Sequence, residues 1–288
     1  MRIVFMGTPK FAADIFQYLI EDKSVDVVGF QTAPDKIRGR GKKLVPSLVK
    51  ELALKHNIPE IIPDDVDYIC VAAYGKILDE DFVNKYKCLN VHGSLLPRWR
   101  GAAPVERAIL EGDEYTGVSI MKMDAGMDTG AYCAQEKIKI DDKSTDELLS
   151  EMAKLGAKLL VDAMTKDVVY TEQDENLVTY AKKIEKHELD LDDLLLSSIR
   201  KIQASSKAHP SKCIIANKSV TILKAKKSDI TIKPNQVLFI DKKLYLGFND
   251  GAMQITTLKP DGKNTMEAKA FAAGIQNIRD GGLTWEKV

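Results

Sequence analysis

The run Tyr68-Ile69-Cys70-Val71-Ala72-Ala73 is apolar without alternation. A strand with one wet face alternates apolar and polar residues, so a run like this is buried on both faces. Such a strand needs helices above and below it, as in a parallel sheet. The neighbouring segments supply them. Residues 2–6, 25–32, 58–62 and 88–92 are further strand candidates, and residues 9–20, 47–56 and 79–86 are helix candidates between them. In 47–56 the buried face is expected to hold Leu48, Leu52 and Ala53. This alternation predicts a Rossmann-like α/β domain, a doubly wound and mostly parallel sheet. Residues 104–110 continue as a helix, 116–123 and 131–140 as strands around the loop 124–130, and 145–164 as a long helix opening on Ser144-Thr145-Asp146-Glu147, a capping-box pattern.

Beyond residue 211 the pattern changes to short β-like runs at 213–215, 220–223, 236–240, 244–247 and 253–258. Turn sequences such as Asn249-Asp250-Gly251 and Pro260-Asp261-Gly262 separate them, which predicts a small β-barrel or sandwich. The expected organisation is a front domain over 1–185, a charged, leucine-rich linker with a helix over 186–204, and a rear β domain over 205–288. The 288-residue chain is neutral, yet residues 205–288 hold 14 Lys+Arg against 7 Asp+Glu, so the rear carries +7 and the rest −7. A basic module of this kind suits nucleic acid, and equally a solvated lysine-rich face.

No apolar run approaches the roughly 20 residues a membrane helix needs. The N-terminal residues 1–7 read as a buried strand rather than a signal peptide, and a cytoplasmic protein is expected. Cys70, Cys88, Cys133 and Cys213 lack metal-ligand spacing and are expected to be buried free thiols, with Cys213 the candidate for exposure.

Chemistry concentrates in Leu89-Asn90-Val91-His92-Gly93-Ser94-Leu95-Leu96-Pro97. Spacing of two puts Asn90 and His92 on one face of a strand, at its carboxyl end, where open α/β sheets bind ligands. A second polar segment, Asp124-Ala125-Gly126-Met127-Asp128-Thr129-Gly130, offers a carboxylate to charge or orient His92. Asp124 is expected to make an Asx turn and Asp128 to do more. Asp128-Thr129-Gly130 also spells the aspartic-protease triplet, but that chemistry needs two such carboxylates. The first turn, Gly7-Thr8-Pro9, is not a dinucleotide fingerprint. Residues 32–43 hold five basic residues and two glycines, which suits phosphate or RNA as well as solvent. Pro97-Arg98-Trp99-Arg100-Gly101 adds a basic, aromatic cluster that can stack on bases or pack beneath its loop.

Residues 90–104, from Asn90-Val91-His92-Gly93-Ser94 to Arg98-Trp99-Arg100-Gly101-Ala102-Ala103-Pro104, resemble the signature of the methionyl-tRNA formyltransferase family. So do Gly7-Thr8-Pro9, the basic loop 34–46, residues 118–130 and Leu177-Val178-Thr179-Tyr180-Ala181, with a weaker likeness at 258–263 and Met266. The resemblance implies a Rossmann-like catalytic domain and an OB-like C-terminal barrel. It implies formyl transfer from 10-formyltetrahydrofolate, a co-substrate, to initiator methionyl-tRNA for translation initiation, with no metal and no membrane, by a monomer. By position it implies Asn90, His92 and Asp128 as catalytic residues. Ser94, Leu95, Leu96 and Pro97 match a folate-binding loop, and Arg40, Lys42 and Lys43 a tRNA contact. On this expectation Asn90 and His92 face the oxyanion, while Asp128 fixes the His92 tautomer and helps take the amine's proton. The competing readings are a formyltransferase acting on a sugar-nucleotide or glycinamide amine, and a tRNA- or folate-binding protein without turnover. Two departures stand out: the connection over residues 63–67 is short, and Ala208-His209-Pro210-Ser211 replaces an aromatic segment after the linker.

Overall fold

The computed structural model describes residues 1–38, 43–185, 188–206 and 209–288. From Arg2 to Ala181 the chain forms β1 (Arg2–Gly7), α1 (Lys10–Glu21), β2 (Asp26–Gln31), β3 (Lys36–Arg38), β4 (Lys43–Val45), α2 (Leu48–Lys55), β5 (Tyr68–Ala72), α3 (Glu80–Lys85), β6 (Cys88–His92), β7 (Arg100–Gly101), α4 (Pro104–Glu111), β8 (Tyr115–Lys122), β9 (Tyr132–Lys139), α5 (Thr145–Thr165) and β10 (Tyr180–Ala181). The remainder forms α6 (Leu195–Gln203), β11 (Lys212–Ile215), β12 (Lys218–Ser228), β13 (Val237–Ile240), β14 (Lys243–Phe248), β15 (Gly251–Pro260), β16 (Met266–Glu267), α7 (Ala268–Ala273) and β17 (Trp285–Glu286). The chain divides into two units, one of Met1–Val105, Glu114–Ile140 and Glu147–Lys182, the other of Glu106–Asp113, Asp141–Asp146 and Lys183–Val288.

In the first unit β5 is an inner strand of a six-stranded sheet, ordered β2-β1-β5-β6-β8-β9. Burial of residues 69–72 on both faces is what its unbroken apolar run predicts. β2, β1, β5 and β6 are parallel, and β8 and β9 close the sheet antiparallel. Parallel pairing gathers the carboxyl ends of β1, β5 and β6 on one edge. Close packing there fixes Gly7: an added Cβ would lie 2.5 Å from Ala12 Cβ and 2.8 Å from Ala72 O.

Three local expectations differ. Residues 58–62 form no strand; Pro59 and Pro63 lack N–H donors, and the segment gives β2 a single bond, Phe30 N–H to Pro59 O at 3.1 Å. On α2 the buried residues are Val49 and Ala53, four apart on one face, while Leu48 is exposed at the first helical position after the Ser47 cap. Within the basic segment, β3 and β4 pair antiparallel from Lys36↔Val45 to Arg38↔Lys43.

The second unit is an antiparallel sheet ordered β13-β14-β15-β12-β11-β17, with β16 on β15. Its two end strands meet: Gln236 bridges Thr284, Val237 N–H donates to Leu283 O at 2.8 Å, and Trp285 N–H to Asn235 O at 3.1 Å. Closure makes the sheet barrel-like and leaves few free edges. The segment read as a linker folds with this unit, since Leu189, Leu195 and Ile202 enter the same core as Val220, Leu246 and Trp285. Leu195 and Ile202 stand seven residues apart on one face of α6, and burying that face stabilises the helix, while Leu189 enters the core from the chain ahead of it. Cys213, the one thiol open to exposure in the sequence, is fully buried on an inward position of β11, as the general expectation of buried thiols has it.

Candidate active site

Asn90 and His92 end β6, paired to Met121 and Ser119 of β8. Alternation puts both on one face, and they are 8% and 6% exposed. Among the described residues the Asn90 amide has no hydrogen-bond partner, so its N–H groups are free to meet an incoming oxygen. His92 is anchored: its Nε2 lies 2.9 Å from the carbonyl of Trp99. A carbonyl only accepts, so Nε2 carries the proton and Nδ1 of the neutral ring presents a lone pair. That lone pair faces Asp128 Oδ1 at 3.6 Å. Asp128 was expected to fix the tautomer; the Trp99 carbonyl does so instead, because the chain turns back over the ring within seven residues. The 3.6 Å gap exceeds a hydrogen bond, leaving base and lone pair side by side.

Trp99 makes that turn in the left-handed region, φ 66°, with its N–H on Thr179 Oγ1 at 2.9 Å. Its ring is buried beneath the loop and carries the Arg98 guanidinium 4.4 Å above it. It therefore packs internally rather than offering a free stacking face.

Asp128 is also left-handed, φ 56°. Its Oδ2 accepts the Gly101 N–H at 2.8 Å, which turns Oδ1 toward His92. Asp124 makes the expected Asx turn, accepting from Gly126 N–H at 3.0 Å and Thr129 Oγ1 at 2.6 Å. Gly130 ends the loop where only glycine fits, an added Cβ lying 1.8 Å from Lys122 O.

Ser94, Leu95, Leu96 and Pro97 follow His92 directly. Ser94 and Leu96 are buried, while Leu95 and Pro97 are half-buried. Ser119 Oγ donates to Ser94 O at 2.6 Å and accepts the Leu96 N–H at 3.1 Å; Gln135 Nε2 donates to Leu96 O at 2.8 Å. Ser94 Oγ is spent on Arg98 O at 2.6 Å, so the loop's polar groups are mostly committed to its own shape. Lys43 is exposed at the start of β4, whereas Arg40 and Lys42 lie outside the described residues.

Burial raises the thiols of β5 and β6: Cys88 is pushed up to about 11, Cys70 higher still, so neither supplies a thiolate. Among the described residues no group of three or more His, Cys, Asp or Glu could hold a metal ion. Sequence reasoning missed Gln135, Ser119, Thr179 and Gln173, each too ordinary in its local context to signal the hydrogen bonds it makes.

Comparison with known proteins places the chain among formyl transferases. Residues 1–164 match the family profile described as formyl transferase, and residues 182–276 the formyl transferase C-terminal domain. The chain is 36% identical over 301 residues to a methionyl-tRNA formyltransferase of Methylobacillus flagellatus, covering 95% of this chain and 96% of that one. It is 35% identical over 307 residues to one of Thermotoga maritima, covering 97% and 98%. Among solved structures it resembles WlaRD, a sugar 3N-formyl transferase, with a TM-score of 0.67 at 18% identity over 92% of this chain and 99% of that one. A methionyl-tRNA formyltransferase from Clostridium thermocellum gives a TM-score of 0.58 at 16% identity, over 80% and 95%.

Proposed function

The chain belongs to the methionyl-tRNA formyltransferase family, and on that premise we propose its reaction and the residues that carry it. It transfers the formyl group of 10-formyltetrahydrofolate to the α-amine of methionine on initiator tRNA, supplying translation initiation. The methionyl amine attacks the formyl carbon, and the carbonyl oxygen becomes an oxyanion. The Asn90 amide, partnerless among the described residues, donates to that oxygen; one such donor is worth roughly 3–4 kcal/mol in comparable sites. The amine must shed a proton and N10 of the folate must gain one as the C–N bond breaks. The His92 Nδ1 lone pair and Asp128 Oδ1, 3.6 Å apart, take the first and return it as the second, so protons balance.

The observation that carries this reading is that pairing of a free lone pair with a carboxylate beside an uncommitted amide. Leu95 and Pro97 give the folate an apolar wall, and Ser94 and Leu96 hold its shape. Arg40, Lys42 and Lys43, with the +7 of residues 205–288, supply phosphate contacts. Residues 1–185 act as the catalytic module and 205–288, with the 186–204 segment packed into its core, as the RNA-binding module, in a cytoplasmic monomer. The test is formylation with 10-formyltetrahydrofolate and a panel of acceptors: charged initiator tRNA, charged elongator tRNA, an amino-sugar nucleotide and a glycinamide nucleotide. Preference for either small amine overturns the acceptor assignment. If Arg40→Ala leaves tRNA affinity and its salt slope unchanged, the basic-loop assignment fails.

A further inference from the structure

Gln173 lies outside both segments that carry the chemistry, yet every polar atom of its buried side chain is committed beside Asp128. Its Oε1 accepts from Arg100 Nε at 2.9 Å, and its Nε2 donates to the backbone carbonyls of Asp128 and Gly130, both at 2.8 Å. The sense of the amide is fixed by chemistry: a guanidinium only donates and a carbonyl only accepts, so the amide fits one way round. Arg100 is itself 2% exposed and held by Glu175, Nη2 to Oε1 at 2.8 Å. Its backbone N–H donates to Thr179 O at 2.9 Å.

Asp128 needs such support. A non-glycine residue at φ 56° is uncommon and persists where its surroundings over-determine it. Gln173 grips the carbonyls on either side of residues 129 and 130, while the Gly101 N–H grips the carboxylate. Arg100 and Gly101 are adjacent, so the two-residue strand β7 holds Asp128 twice: through the Arg100 side chain by way of Gln173, and through the next peptide directly.

We propose that Gln173 is a positioning residue for formyl transfer: it holds Asp128 at its working distance from His92, and the buried Arg100 orients it. This rests on the proton-handling role assigned to Asp128. The test is a kinetic cycle in the full-length protein, with kcat and KM for 10-formyltetrahydrofolate and methionyl-tRNA, and thermal unfolding measured alongside. Its members are Gln173→Leu, Gln173→Glu, Asp128→Asn, and Gln173→Glu combined with Asp128→Asn. Gln173→Glu keeps the size and the acceptor for Arg100, so it carries the test should Gln173→Leu fail to fold. Its ionised second oxygen meets two carbonyl oxygens and pushes the loop away.

Displacement by about 1 Å at a reacting group costs on the order of 10²-fold. A loss of that size in kcat is expected for Gln173→Glu, with both KM values nearly unchanged. The deficit shrinks as pH falls toward the carboxyl range, because a protonated Glu donates again to one carbonyl. Added to Asp128→Asn, the same substitution slows turnover little further, since the group it positions no longer works. A wild-type kcat in Gln173→Glu beside an impaired Asp128→Asn overturns the proposal alone, and so does a fully multiplicative loss in the double variant. Full turnover in Asp128→Asn overturns the underlying assignment and the proposal with it.

Discussion

Asp128→Asn separates chemistry from folding more cleanly than any other change at this site. Asn has the same shape and is among the few residues that occupy the left-handed region readily, so φ 56° is retained. The Gly101 N–H only donates, so the Asn oxygen stays on it at about the present 2.8 Å. A charge-assisted bond becomes a neutral one, a loss of about 1 kcal/mol in stability. Alanine would lose the bond and add roughly 1–2 kcal/mol of backbone strain. With its oxygen on Gly101, the Asn amide turns its NH2 toward the His92 Nδ1 lone pair, now occupied by Asp128 Oδ1 at 3.6 Å. An amide is no base at neutral pH, and it blocks the lone pair beside it. Acid–base help is worth about 10²–10⁴ in rate, or about 3–5.5 kcal/mol of barrier at 1.36 kcal/mol per tenfold. Single-turnover transfer of labelled formyl to methionyl-tRNA measures that step, and circular dichroism reports the fold. A folded Asp128→Asn protein within fivefold of the wild-type rate would refute the scheme.

Asn90→Ala is expected to lower kcat by about 10²–10³ with little change in KM, as removal of an oxyanion donor does; a raised KM at unchanged kcat would make Asn90 a binding residue instead. Trp285→Ala removes a fully buried ring that donates Nε1–H to Gly247 O at 2.9 Å and lies 4.8 Å from Phe248. It should destabilise the barrel by about 3–5 kcal/mol in urea unfolding. A thiol reagent followed by mass spectrometry should label the half-buried Cys133 before the buried Cys70, Cys88 and Cys213, and labelling of Cys213 in the folded protein would contradict its place in the core. Burial holds the Glu106 carboxyl above its ordinary range, partly offset by His209. The folded state thus binds this proton more tightly than the unfolded one, so stability falls as pH rises from the ordinary carboxyl range through the raised value. Glu106→Gln should unfold at higher temperature than wild type at neutral pH, with the advantage vanishing in acid.

Periodicity made the front sheet legible, because residues 68–73 and 88–92 carry their burial in their own order. The same reasoning fails at residues 58–62, where apolar content outweighs Pro59 within the segment and Pro63 just after it in the sequence but not in the fold. It also took 186–204 for a linker, since Leu189, Leu195 and Ile202 reveal their purpose only against barrel strands far along the chain. β16, α7 and β17 are short, and strands of two residues leave no periodic trace. At the site, Asn90 and His92 were readable because spacing two decides which face they share. Asp128 was readable only as a carboxylate in a glycine loop, and its geometry was not.

The reason is where its support comes from. His92 is held by the carbonyl of Trp99, and Asp128 by the N–H of Gly101. Both therefore hang from one stretch of backbone, residues 99–101. That stretch is itself fixed from across the sequence: Thr179 Oγ1 receives the Trp99 N–H and Thr179 O the Arg100 N–H, while Ala181 O receives the Ala102 N–H. This gives a physical task to Leu177-Val178-Thr179-Tyr180-Ala181, which in the sequence is only part of a resemblance. Its Tyr180-Ala181 end pairs in parallel with β7 and clamps the peptide that holds the His92 and Asp128 side chains. The Trp99 carbonyl on the His92 ring and the Gly101 N–H on the Asp128 carboxylate, two residues apart in the chain, thus set the 3.6 Å between the two groups. Asn90 shares β6 with His92 and is placed by that strand alone. On the proposed roles, formyl transfer thus depends on the register of β7 against β10, Arg100 opposite Tyr180 and Gly101 opposite Ala181.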